Sequence, residues 1–79
     1  MPKVYLSERD RMCHRLAMWV EGEKKIRKLT DTDLAKDHGI SQSAMSRKLR
    51  VESFDYKDFV FFVQKFEPDT DTLRYIVGL

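Results

Sequence analysis

Apolar residues recur along this chain at helical rather than alternating intervals, and turn residues punctuate them. Ser7 is placed to cap a first helix, with Glu8 and Asp10 in its opening turn, where negative charge complements the helix dipole. Met12, Leu16, Trp19, Val20 and Ile26 then fall near one face, which predicts a helix to about Lys28, weakened by Gly22. Thr30 with Asp33 three residues later forms a near capping box for a second helix, and Gly39 ends it. Ser41 caps a third helix to about Leu49. A turn from Arg50 to Asp55 follows, and Asp55 caps a fourth helix from Tyr56 to Phe66. Phe59, Phe62, Val63 and Phe66 make its core stripe at i, i+3, i+4 and i+7. Glu67-Pro68-Asp69 stops that helix. The tail from Leu73 to Val77 reads either as a last helical turn or as a strand. The expectation is an all-α domain of four to five short helices spanning residues 1–79.

Size limits what such a domain can do. Seventy-nine residues make one small core and leave little material for an enclosed catalytic cavity. The single cysteine, Cys13, excludes an internal disulfide and fits a reducing compartment, where it reads as a small, partly buried apolar residue. The four methionines read as core filler. No segment approaches the roughly 18 apolar residues of a membrane span, and Met-Pro-Lys-Val does not begin a signal peptide, so a cytoplasmic protein is expected. His14 and His38 share no metal-ligand spacing with each other or with Cys13. No nucleophile triad, glycine-rich phosphate loop or paired-carboxylate pocket is present in the spacing. Neither an enzyme nor a cofactor or metal is expected.

Charge adds one feature. The net charge is only +2, but its distribution is uneven. Residues 1–23 are neutral, residues 24–50 carry +5, and residues 51–79 carry −3. A basic middle of this kind reads either as a local phosphate-binding face or as a solvated helix surface.

The segment from Leu34 to Leu49 is the informative one. Two short helices meeting sharply need a small residue at the contact, a glycine at the corner and apolar residues around it. Ala35, Gly39, Ile40 and Met45 meet those needs, with Leu34 and Leu49 completing the apolar set. With Ser41, Ser46 and Arg47 added, the segment resembles the helix-turn-helix of the phage Cro/repressor-like (XRE) family, whose members often read L-A-x-x-x-G-[IV]-S-x-x-x-[VIM]-S-R. The resemblance runs from about Leu29 to Phe66 and includes Phe54-Asp55-Tyr56-Lys57-Asp58-Phe59. It departs from the family at Lys48, where an apolar residue is usual and Leu49 takes over that role.

The resemblance implies a helix-turn-helix over about residues 30–49 and a sequence-specific regulator of transcription, most simply a small repressor on double-stranded DNA. Its third helix would enter the major groove with Gln42, Ser43, Ser46 and Arg47 toward base edges. Thr32, Lys36, Ser41, Lys48, Arg50 and Lys57 would contact phosphates, Ser41 through the amide end of the helix it caps. One such module reads few base pairs, so a homodimer is expected. Val60 and Phe61, off the core stripe, and the 73–79 tail are candidate interfaces, unless tail and helix cover one another within one chain. Two other readings stay open: a protein-partner inhibitor or antitoxin-like module on the same scaffold, and a nucleoid-type protein without sequence preference.

Overall fold

The computed structural model describes residues 7–79. Pro2 and the Met-Pro-Lys-Val start discussed above lie outside them. The described residues form five helices: α1 (Glu8–Arg27), α2 (Asp31–His38), α3 (Gln42–Val51), α4 (Tyr56–Phe66) and α5 (Thr70–Val77).

Each helix begins where a short polar side chain can take an otherwise unpaired backbone N–H. Ser7 accepts from Asp10, Thr30 from Asp33, Ser41 from Ala44, Asp55 from Asp58 and Asp69 from Thr72. At Thr30 and Asp55 the third helical residue returns the bond, so both are full capping boxes. Asp69 turns the undecided tail into α5, whose Ile76 is fully buried.

All five helices end on a left-handed residue: Lys28, Gly39, Glu52, Glu67 and Gly78. At the α2–α3 corner this conformation is decisive. Gly39 has φ 81° and its N–H reaches Ala35 O at 2.9 Å, while Ile40 N–H bonds the same carbonyl at 3.1 Å. A Cβ on Gly39 would meet no atom within 4 Å, so a side chain there would oppose the backbone alone. Left-handed φ costs an ordinary residue about 1–2 kcal/mol, and a β-branched one resists it most. Gly39→Val is therefore expected to lower the melting temperature by about 5–15 °C, with Gly39→Ala lowering it less. An unchanged melting temperature in thermal melts would show that the corner does not depend on this glycine.

The core joins Leu16, Ala17 and Val20 of α1 to Leu34 and Ala35 of α2, Met45 and Leu49 of α3, and Phe62 and Phe66 of α4. Phe54, in the turn before α4, meets Phe62 edge-on at a centroid distance of 5.6 Å, and Trp19 meets Phe66 in the same way at 5.6 Å. α2 packs against α3, while α1 packs against α4 and α5.

Four details differ from the expectation. Ile26 is 77% exposed, because six residues beyond Val20 is about 120° out of phase on a helix; Cys13 and Ala17 fill the inner face instead. Met18 is 59% exposed and fills no core, whereas Met45 is buried and Met12 half-buried; Met1 lies outside the described residues. α3 continues to Val51, because the Glu52 N–H still closes onto Lys48 O, so Arg50 lies in its last turn. Phe59 and Val63 are only half-buried, and the carboxylate of Asp58 takes a place in the core of α4.

Candidate nucleic-acid interface

α3 is anchored by Met45 and Leu49, which point into the core. Successive residues are about 100° apart, so the opposite face carries Ser43, Arg47 and Arg50, all exposed. Arg47 lines a shallow hollow with Ala44, Lys48, Val51 and Ser53. Gln42 and Ser46 form the α2-facing edge of the same helix. Gln42 is exposed and its Nε2 points to Ser46 Oγ at 3.5 Å; Ser46 is half-buried and its hydroxyl donates to Asp31 Oδ2 at 2.8 Å. Asp31 also accepts from Lys24, at the end of α1. The end of α1, the start of α2 and the α3 edge are thus tied by one polar chain. The Lys24 hydrogen bond holds the Asp31 carboxyl below the usual carboxylate range, with partial burial opposing it and Ser46 adding to it.

Of the residues assigned to phosphate, Thr32 and Lys36 are exposed one turn apart on α2, and Arg50 is exposed on α3. Ser41 is exposed at the N-cap of α3, its Oγ accepting the Ala44 N–H at 3.1 Å. Lys57 is exposed on the first turn of α4, but it lines a hollow with His38, Tyr56, Val60, Phe61 and Gln64 rather than the one beside Arg47. Among the described residues, Lys36, Arg47, Arg50 and Lys57 form no salt bridge, nor do Lys25 and Lys28 near the end of α1. By contrast Lys24, Arg27 and Lys48, which add to the basic middle of the sequence, are each paired with acids. The free positive charge is therefore narrower than the sequence count.

Lys48 has a different place from the one expected. Its Nζ lies 2.8 Å from Asp58 Oδ2, and His38 Nε2 lies 2.7 Å from Asp58 Oδ1. The Asp58 side chain is 2% exposed and also accepts the Asp55 N–H at 3.0 Å. Burial pushes the Asp58 carboxyl up, but hydrogen bonds from Lys48, Asp55 N–H and His38, with the Lys48 charge, outweigh it and hold the group below its ordinary value. One carboxylate thus joins the end of α2, the last turn of α3 and the start of α4. In the sequence Asp58 carried no role beyond its place in the stretch from Phe54 to Phe59; the apolar slot left open by Lys48 in the family pattern was the one sign that α3 contacts its surroundings by charge. Asp31 went unmarked for the same reason, since a helix-start aspartate is ordinary in sequence.

The two candidate dimer surfaces are partly used within the chain. Phe61 is half-buried, stacks on His38 at a centroid distance of 4.4 Å and touches Phe62 at 5.2 Å. Val60 is half-buried, and the tail is α5, seated on α1 through Ile76 with Tyr75 and Leu79 left exposed. Among the described residues no helix is long and apolar enough to cross a membrane, and no group of three or more His, Cys, Asp or Glu side chains is placed to hold a metal. No family model, curated protein or solved structure matches this chain.

Proposed function

We propose that this chain is a sequence-specific, double-stranded DNA-binding regulator of transcription of the XRE-like kind, acting in the cytoplasm, with α2 and α3 as its helix-turn-helix. One observation carries the reading. α3 presents Ser43, Arg47 and Arg50 outward, with Gln42 exposed at its α2-facing edge; among the described residues neither arginine is ion-paired, and Met45 and Leu49 fix the helix from beneath. Unpaired arginine beside amide and hydroxyl groups suits base edges and phosphates together, because arginine pairs bidentately with guanine and glutamine with adenine. Lys36, Arg50 and Lys57 are the phosphate contacts of this proposal, Thr32 and Ser41 add neutral ones, and Lys48 is left to Asp58. Two chains on adjacent half-sites supply the footprint that one α3 lacks.

Arg47→Ala tests the reading. Binding to a site selected from random duplexes is expected to weaken by about 1–3 kcal/mol, with preference relaxed at one base position. Binding to random DNA is expected to change far less. Equal losses on both would make Arg47 a phosphate contact. The protein-partner reading is favoured by a separate feature, the exposed Met18 and Ile26 on α1, which a second protein would cover.

A further inference from the structure

The hydroxyl of Ser46 is not free to choose its role. An ionised carboxylate carries no proton, so toward Asp31 Oδ2, at 2.8 Å, Ser46 must donate its single hydrogen. Asp31 is kept ionised by Lys24 on its other side. With that hydrogen committed, Ser46 Oγ has only lone pairs to offer to anything beyond α3. Gln42 conforms to this, its Nε2 turned to Ser46 Oγ at 3.5 Å. At this edge of α3, Ser46 can therefore meet a base only as an acceptor. Base edges in the major groove divide on this property: adenine N6 and cytosine N4 donate, whereas guanine O6 and thymine O4 accept.

We propose that Asp31, on α2, is a specificity-determining residue that fixes Ser46 as an acceptor, so that the base facing Ser46 is one with an exocyclic amine, adenine or cytosine. This rests on the DNA-binding reading above. Asp31 touches no base. It acts through Ser46, and Lys24 and Glu21 complete the support, since Lys24 also pairs with Glu21 at 3.3 Å and keeps a partner when Asp31 is removed.

The test is selection from randomised duplexes with the wild type, Asp31→Ala, Ser46→Ala and the double variant, followed by affinity measurements on sites differing at one position. The position read by Ser46 is the one where Ser46→Ala loses preference. There the wild type is expected to favour adenine or cytosine over guanine or thymine by about 5-fold. Asp31→Ala is expected to bring that ratio close to one, because the freed hydroxyl can then donate or accept. Removing a negative charge strengthens binding to every duplex alike, so the ratio, and not the affinity, carries the result. In the Ser46→Ala background, Asp31→Ala is expected to leave the ratio unchanged. A wild-type preference for guanine or thymine at that position overturns the proposal, as does a preference that survives Asp31→Ala. Wild-type protein that binds no duplex at all would overturn the DNA reading itself, which the other outcomes leave standing.

Discussion

Asp58→Ala is expected to destabilise the fold by about 3–5 kcal/mol, the range for removing one partner of a buried ion pair. The Asp58 carboxylate is 2% exposed, and its loss strands Lys48 Nζ and His38 Nε2 at the junction of three helices. It also deprives the Asp55 N–H of its acceptor and breaks the capping box of α4. A domain of this size has roughly 5–10 kcal/mol of total stability, so the variant should be close to unfolding at 37 °C. Thermal and urea melts measure the change. Asp37→Ala is the matched comparison, because the Lys65–Asp37 pair lies on the surface with Asp37 51% exposed, and its removal is expected to cost less than about 1 kcal/mol. Similar losses for both variants would mean that Asp58 contributes no more than a surface charge.

Acid should weaken the same junction. A carboxyl whose folded pKa lies below its unfolded value stabilises the fold above the unfolded value, and the contribution disappears as pH falls through the folded one. Asp58 and Asp31 are both lowered from an ordinary value of 3.8. Stability is therefore expected to be flat in this respect near neutrality and to fall below about pH 4. Urea midpoints taken from pH 6 down to pH 2.5 should show the decline in wild type. Asp31→Ala should retain the part that belongs to Asp58. A midpoint independent of pH across that range would mean that neither carboxylate is stabilised in its charged form.

The helices were legible in the chain because their ends are set by local chemistry. Ser7, Thr30, Ser41 and Asp55 each sit one residue before a helix and accept a backbone N–H three residues on, so their positions alone located four of the five starts. The start of α5 was missed although Asp69 caps it in the same way, because Pro68 and the β-branched run at its end left helix and strand equally open. Of the candidate site, the outward phase of Ser43 and Arg47 followed from the inward phase of Met45 and Leu49. What spacing could not supply was pairing between helices. Lys48 with Asp58 and Arg27 with Glu23 subtract from the basic segment, and Lys24 is held by Asp31 within it; the Lys48 and Lys24 pairs join residues on different helices. Sequence counts charges; only the packed chain shows which of them remain for a partner.

That remainder decides the last and largest effect, the dependence of DNA binding on salt. Each phosphate neutralised by a lysine or arginine releases condensed counterions, and log affinity falls with log salt at a slope of about −0.9 per contact. Lys36, Arg50 and Lys57 give a slope of about −2.7 per chain, which is roughly a 40-fold loss between about 50 and 200 mM potassium chloride. Two chains on one site double the slope. Among the described residues Lys25 and Lys28 also form no salt bridge, so a steeper line would place the end of α1 on the DNA as well. Lys36→Gln should reduce the slope by about one unit per chain and weaken selected and random duplexes alike. Lys65→Gln should leave it unchanged, because that lysine is already held by Asp37. Lys48→Gln should lower the melting temperature and leave the slope nearly intact, since Asp58 and not phosphate is its partner. A titration that is flat in log–log form would remove the DNA reading and make the partner a protein, with the exposed α1 face at Met18 and Ile26 as the place to look for it.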